Sequence, residues 1–229
     1  MAINLNDPRN ATARGFGRMW TPATNNDPRT DMVSLSVVIA GPDPVFVGGM
    51  HPALHDLAQL LIEETARRGY VFDVSPQQDW GFAWRAIRDS NPPVASNHSS
   101  GCALDINSVF NYLGRTDGGD VPAWMVKLWN SYGWRWGGDY TGREDPMHWE
   151  FMGTIADAKR MTAKARKELE DVALTTEQKA ALQFVIGERL FLAGKPEPKA
   201  KGPRRQGWRH AQEQKALADA IASAAETKP

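Results

Sequence analysis

The sequence is poor in cysteine and in long hydrophobic runs, and each shortage excludes a class of protein. Cys102 is the single cysteine among 229 residues, so neither an intrachain disulfide nor a cysteine-based zinc site is possible. No apolar run reaches the roughly 20 residues that a transmembrane helix needs, so no transmembrane segment is predicted. Residues 1–20 lack the basic patch and apolar stretch of a secretory signal, and we expect synthesis in the cytoplasm without a signal peptide.

The chain also lacks net charge, because 27 basic residues balance 27 acidic ones, but the balance differs along its length. Residues 1–153 hold 12 Lys and Arg against 17 Asp and Glu, whereas residues 195–229 hold 8 against 4. We predict a folded domain over residues 1–153, a helical extension over 154–193 and a flexible basic linker and tail over 194–229. The tail is a candidate for binding an anionic polymer. It carries no nucleic-acid motif, so no specific nucleic-acid partner is predicted.

Hydrophobic periodicity predicts a mixture of helices and short strands. Leu54, Leu57, Leu61 and Ile62 recur at helical spacing and predict a helix from Pro52 to Arg68. The other predicted helices cover residues 121–132, 155–173 and 175–192, the predicted strands cover 32–40, 102–107, 134–136 and 148–151, and a loop is predicted over 90–101. The pattern favours an α+β fold, in which a small, mostly antiparallel sheet carries the site and helices pack on its other face.

The loop and the strand that follows it offer two polar side chains to one place. With a period of two, Cys102, Leu104 and Ile106 face one side of the strand and Asp105 faces the other. Because the apolar set belongs in the core, we expect Asp105 on the opposite, open face. His98 precedes Asp105 by seven residues, and a glycine between them permits the sharp return that lets the two side chains converge.

His148 offers a third potential metal ligand from a distant segment. Two imidazoles and a carboxylate suit Zn²⁺, and three protein ligands leave one position for water, as catalytic sites require. We therefore predict that His98, Asp105 and His148 bind a catalytic zinc ion. Each of them taken singly would more often be an ordinary polar residue than a ligand, so the prediction rests on the ordered set.

Hydrolysis at such a site also needs an acid/base and a cation near the developing oxyanion. Asp145 lies three residues before His148 and is the first candidate for the base, with Glu144 as the alternative. Arg85 and Arg88, just ahead of the loop, are the available cations.

These motifs together carry a family resemblance. The pattern S-x-H-x-x-G-x-A-x-D at residues 96–105, followed by W-G-G-D at 136–139 and D-x-x-H-W-E at 145–150, resembles the VanY/VanX-type D-Ala-D-Ala carboxypeptidases and L-alanyl-D-glutamate endopeptidases. These are zinc peptidoglycan peptidases of the hedgehog-like fold. Over residues 15–153 the chain is most similar to endolysin peptidase domains of actinobacterial phages.

The resemblance implies that the three predicted ligands bind zinc, that Asp145 is the catalytic acid/base and that Arg85 assists the substrate or oxyanion. Spacing favours Arg85 over Arg88 for this last role. Many relatives have Glu where this chain has Asp145, so the base is one methylene shorter here. A phage endolysin would act on the host cell wall after release through a membrane pore made by a separate, holin-type protein.

The predicted function is therefore cleavage of a stem-peptide bond in peptidoglycan, of the L-Ala–D-Glu endopeptidase type. A D-Ala-D-Ala carboxypeptidase is one alternative, and a non-catalytic, zinc-stabilised cell-wall-binding or virion module is another. Retention of Asp145 beside a complete ligand set argues against the second alternative. Ser96, Arg88 and Asp139 are candidate substrate-binding residues, although Ser96 can equally position the loop and Asp139 can equally serve a turn.

Other polar residues have ordinary expected roles. His51 and His55 have the i, i+4 spacing of a metal clamp, but nothing nearby supplies a third ligand, so a surface or helix-start role is expected. Glu150 is expected to orient a ligand or to be structural, rather than to act as the base. Most of the nine tryptophans are expected in the core, with one or two lining a substrate groove.

Overall fold

The computed structural model describes residues 2–6, 11–19, 28–37, 44–73 and 78–169. Its strands and α-helices, in chain order, are β1 Val33–Ser36, β2 Val45–Met50, α1 Pro52–Arg67, β3 Ala103–Asp105, α2 Ala123–Ser131, β4 Trp134–Trp136, β5 His148–Phe151 and α3 Ile155–Leu169. Short 3₁₀ helices lie at Pro28–Asp31, Asn97–Ser100 and Gly137–Asp139. The predicted helix over 175–192 and the predicted tail over 194–229 lie outside the described residues, as do residues 38–40 of the first predicted strand.

Helix α1 begins where the sequence predicts it and ends within one residue of the predicted end. Pro52 occupies its first turn, where a missing N–H is harmless. The Nδ1 atom of His51 accepts a hydrogen bond from the backbone N–H of Ala53 at 3.1 Å, so His51 caps the helix. This is the helix-start role expected for His51.

The prediction of an irregular loop over residues 90–101 was wrong for its last part, which is helical. Residues Asn97–Ser100 form one turn of 3₁₀ helix. The Ser96 hydroxyl accepts a hydrogen bond from the backbone N–H of His98 at 3.3 Å and so caps this turn. Serine and asparagine, which are common in loops, are also the residues that cap helical turns.

The strands form two small antiparallel sheets. One pairs β1 with β2, and the other has the order β3-β5-β4. The segment at residues 79–82 joins them: Trp80 bridges Val47 on one side and Asp105 on the other. The predicted α+β fold with small antiparallel sheets is thus confirmed, with two sheets where the sequence suggested one.

The core lies between the sheets and the helices. Cys102, Leu104 and Ile106 are fully buried in it, as their alternation along the strand predicted. Trp129, Trp134 and Trp149 are also fully buried, and the ring centroids of Trp129 and Trp149 lie 5.1 Å apart. The core therefore fills the face of the sheet opposite Asp105 and fixes the strands that carry the site.

Helix α3 lies beyond residue 153, the predicted end of the folded domain, yet it packs on the same core. Its buried residues Ala158, Met161 and Ala165 belong to the same apolar cluster, and Arg166 pairs with Asp56 of α1 at 2.6 Å. The first residues of the predicted extension are therefore packed against the folded domain, while the three-part division of the chain stays a prediction. Across the described ranges, no helix is both long and apolar enough to cross a membrane.

Candidate metal centre

Three separate elements bring two histidines and an aspartate together. His98 lies on the 3₁₀ turn, Asp105 ends β3 and His148 begins β5. Because β3 and β5 are antiparallel, Asp105 and His148 are directly paired neighbours on one face of the sheet. All three side chains are buried, with 1%, 6% and 8% of their residues' surface exposed.

The three candidate ligand atoms form a nearly equilateral triangle. His98 Nε2 lies 3.1 Å from Asp105 Oδ1 and 3.0 Å from His148 Nδ1, and the latter two atoms are 3.1 Å apart. In the described part of the chain this is the one group of three or more His, Cys, Asp or Glu side chains close enough to hold a metal ion. The predicted ligands therefore converge, and the group can bind a metal.

The hydrogen bond of the His98 ring shows why these atoms suit a cation. His98 Nδ1 lies 2.5 Å from the carbonyl oxygen of Gly81, and a carbonyl can only accept, so Nδ1 carries the proton. In the neutral ring, Nε2 then carries a lone pair and no proton. This lone pair faces the carboxylate oxygen of Asp105, so two hydrogen-bond acceptors lie opposite each other. A positive ion between them satisfies both, and a carbonyl on the outer nitrogen is how ligating histidines are usually oriented.

The same crowding shifts the pKa values of Asp105 and His148. Although burial alone would raise the pKa of Asp105, the charges and hydrogen bonds of His98 and His148 hold it below its ordinary value. Burial would lower the pKa of His148, but Asp105 and Glu150 raise it to about 10. A proton and a metal ion therefore compete for the same place, and metal binding weakens as the pH falls.

Glu150 lies two residues beyond His148 on the same face of β5 and supports it. Its Oε2 atom is 3.9 Å from His148 Nε2 and accepts a hydrogen bond from Asn97 Nδ2 at 2.5 Å, while Oε1 accepts one from the Tyr140 hydroxyl at 2.7 Å. Burial opposes ionisation, yet these partners lower the pKa of Glu150 to about 2. Glu150 thus ties the strand of one histidine to the 3₁₀ turn of the other.

Asp145 lies beside the triangle without being part of it. Its backbone N–H donates to Gly137 O at 2.9 Å, in a contact so close that a Cβ on Gly137 would lie 2.5 Å from the Asp145 carbonyl oxygen. Its Oδ1 atom is buried and has no hydrogen-bond partner among the described residues. Burial raises the pKa of Asp145, against the opposing charge of His148. A carboxylate that borders the ligands, lacks a partner and has a raised pKa is suited to proton transfer.

A cleft of about 430 Å³ opens over the ligands. The predicted site residues that line it are Arg85, Arg88, Ser96, His98, Asp105, Asp145 and His148. Asp139 is not among the lining residues; its side chain is exposed at the end of a 3₁₀ helix, which gives no support to the substrate-binding role predicted for it. Ser96 reaches the cleft but is 4% exposed and caps the turn of His98, so positioning the loop is its visible role.

Sequence reasoning missed several residues that line the cleft, among them Arg14, Arg135, Tyr140 and Arg143. Arg135 could have been found from the sequence, because alternation along the predicted strand 134–136 turns it away from the core residue Trp134. In the structure it pairs with Glu150 between β4 and β5 and so faces the site. Its guanidinium carbon lies 4.6 Å from the centre of the Tyr140 ring. Arg14 and Arg143 come from segments without periodicity, where the sequence holds no indication of which way a side chain points.

Residues 90–151 match the family model described as D-alanyl-D-alanine carboxypeptidase. The matched span contains His98, Asp105, Asp145 and His148, while Arg85 and Arg88 precede it. The match supports the family predicted from the motifs, and with it a hydrolase of the metallopeptidase class. No curated protein and no solved structure matches the chain.

Proposed function

We propose that the chain is a zinc-dependent peptidase that hydrolyses a bond in the stem peptide of bacterial peptidoglycan. The observation that carries the proposal is the triangle of His98 Nε2, Asp105 Oδ1 and His148 Nδ1, with sides of 3.0 to 3.1 Å. Two imidazole nitrogens and one carboxylate oxygen are the donor set of catalytic zinc sites. The cleft above the triangle provides room for a peptide beside Asp145, a lining residue whose Oδ1 has no hydrogen-bond partner among the described residues.

The chain's own residues supply the remaining chemistry. A zinc ion bound to the three ligands would lower the pKa of a water molecule and polarise the scissile carbonyl. Asp145 takes the proton of the attacking water and returns it to the departing amine, a role that its burial favours by raising its pKa. Arg85 is half-buried in the cleft lining, near enough to Asp145 to influence its charge, and stabilises the negative charge on the carbonyl oxygen.

For the bond that is cut, we propose L-Ala–D-Glu, as in the endopeptidases that the motifs at residues 96–105 and 145–150 resemble. The protein would then be a phage endolysin, made in the host cytoplasm and acting on the cell wall after release through a pore made by another protein. The basic residues 194–229 would add attraction to anionic wall polymers.

A D-Ala-D-Ala carboxypeptidase is the second candidate, since the matching family model carries that description. The two reactions leave different products. Digestion of purified muropeptides would yield a new D-Glu amino terminus in the first case and free D-alanine in the second, and mass spectrometry distinguishes them.

The proposed function is tested on isolated cell walls embedded in a gel. Wild-type protein should clear the walls, EDTA should stop the clearing, and added zinc should restore it. Asp145→Ala should fail to clear the walls while still binding zinc. Clearing that survives both EDTA and Asp145→Ala would refute the mechanism, and absence of clearing by zinc-loaded wild type would favour the non-catalytic wall-binding or virion module.

A further inference from the structure

The cleft contains more guanidinium groups than the mechanism uses. Its lining includes five arginines, which come from four separate parts of the chain: Arg14, Arg85, Arg88, Arg135 and Arg143. It includes three carboxylates, those of Asp105, Asp145 and Glu150. Asp105 lies between the two histidines, and Glu150 is held by Asn97 and Tyr140. Among the described residues that line the cleft, arginines therefore outnumber carboxylates.

Two of these arginines, Arg85 and Arg88, belong to residues 85–95, which we call the outer wall. Arg88 is exposed there and, within the described ranges, makes no hydrogen bond or ion pair. Asp89, the one acidic residue of the outer wall, pairs instead with Arg143 at 2.8 Å, and both side chains of that pair are largely exposed. Such a surface pair is weak and exchanges readily with another anion.

The outer wall also exposes aliphatic side chains. Ile87 and Val94 line the cleft beside Arg88, and they are 49% and 52% exposed. Ile87 N–H donates to Val94 O at 2.7 Å, and Ala86 bridges Ala95, so the backbone of this wall is satisfied internally. A wall with exposed aliphatic groups and an unpaired guanidinium fits a short apolar residue that carries an anion.

We propose that Arg88 binds a free carboxylate on the substrate residue that follows the scissile bond, with Arg143 as the second cation of this subsite. The inference rests on the proposed function. An arginine presents a planar pair of N–H donors that matches a carboxylate and does not match the neutral amide that replaces it. The carboxylate is the α-carboxylate of D-Glu if the enzyme is an L-Ala–D-Glu endopeptidase, and the terminal carboxylate of D-Ala if it is a D,D-carboxypeptidase.

Three synthetic stem peptides of the sequence L-Ala–γ-D-Glu–L-Lys–D-Ala–D-Ala test this with the zinc-loaded full chain. One has both carboxylates free, one carries an amide on the D-Glu α-carboxyl, and one carries an amide at the C-terminus. Chromatography of the products gives kcat/KM for each. We expect amidation of the residue after the cleaved bond, and only there, to lower wild-type kcat/KM about tenfold, the size of one charge-assisted hydrogen bond. Which amide has this effect identifies the source of the carboxylate.

Arg88→Gln should reduce the ratio of free-acid to amide kcat/KM to about one, and Arg88→Lys should keep part of it. Arg160→Gln is the matched control, because Arg160 lies on α3 and pairs with Asp157 at 2.7 Å, away from the cleft. It should keep both the activity and the ratio. Equal wild-type kcat/KM for the free and amidated peptides, or an unchanged ratio in Arg88→Gln, would overturn the subsite while leaving the proposed function standing.

Calorimetric binding of the same peptides to zinc-loaded Asp145→Asn separates the two failures. If wild type cleaves no peptide but the free acid binds about tenfold more tightly than the amide, and Arg88→Gln in the same background removes that preference, the proposed reaction fails and the carboxylate subsite holds. If the acid and the amide bind equally, the subsite fails.

Discussion

The two walls of the cleft are built in opposite ways. The sheet wall, formed by β3, β5 and the 3₁₀ turn, holds His98, Asp105 and His148 at 1%, 6% and 8% exposure, each in contact with the others. The outer wall at residues 85–95 exposes Ile87 and Val94 to about half. A metal site requires ligands fixed before the ion arrives, whereas a peptide subsite tolerates side chains that adjust to the substrate. Substitutions in the sheet wall should therefore affect metal binding, and those in the outer wall substrate selection.

Removal of a ligand tests the sheet wall with the largest expected effect. His148→Ala should abolish stoichiometric zinc binding and activity, because the remaining two donors cannot complete the site. Zinc at 100 times its dissociation constant stabilises a folded protein by about 2.7 kcal/mol, and the variant should lose this gain. Calorimetric melting with and without zinc measures it. His55→Ala, which removes a histidine outside the site, should keep the full zinc-dependent shift; an equal loss there would contradict the ligand assignment.

Asp145→Asn should leave zinc binding intact and lower kcat by roughly 10²–10⁴, because it removes the proposed acid/base and keeps the shape of the side chain. The pH profile supplies a second test. Burial raises the pKa of Asp145, and the base works only when ionised, so wild-type kcat should fall as the pH drops through a value above the ordinary one for aspartate. Glu144→Gln is the control and should retain activity. Loss of activity in Glu144→Gln, with Asp145→Asn still active, would transfer the role to Glu144.

Glu150→Gln should weaken zinc binding about 10- to 100-fold, because the amide orients His148 less well than the carboxylate. Its pKa of about 2 keeps Glu150 ionised throughout the neutral range, so the effect should not depend on pH between 6 and 9. Competition with a chelator of known affinity measures it. Glu63→Gln, on α1 and bonded to Gln59, should leave zinc affinity unchanged. Unchanged affinity in Glu150→Gln would show that Glu150 only joins the two segments.

Asp139→Asn should have the smallest effect, since Asp139 is exposed and does not line the cleft. We expect stability within about 0.5 kcal/mol of wild type, as for an ordinary surface substitution, and kcat/KM within about twofold. Steady-state kinetics on muropeptides checks this. A several-fold rise in KM would return Asp139 to the substrate-binding residues.

The sequence was sufficient for the parts of the site that follow from local pattern. Alternation along residues 102–107 placed Asp105 opposite the core, and helical spacing located α1. The sequence did not predict polar contacts between residues that are far apart in the chain. Asn107 lies at a positive φ of 50° and donates through Nδ2 to the Tyr70 hydroxyl and to Asp120, while its N–H donates to Asp79 at 2.9 Å. Residues so distant in sequence show no periodicity that would reveal such a network, and Arg14 and Arg143 of the cleft escaped prediction for the same reason.

The carbonyl that fixes the His98 ring belongs to a residue 17 positions earlier in the chain, and this places an unusual restriction on that residue. Gly81 lies alongside strand β2: its N–H donates to Val47 O at 2.9 Å, and the N–H of Phe82 donates to Gly49 O at 2.6 Å. A Cβ on Gly81 would overlap the carbonyl oxygen of Gly49, so even alanine there would push the backbone off the strand. The orientation of the His98 imidazole is thereby set by the close backbone packing of Gly81 against Gly49. Position 81 should therefore tolerate substitution as poorly as the metal-ligand positions do, although Gly81 contributes no side chain to the metal centre.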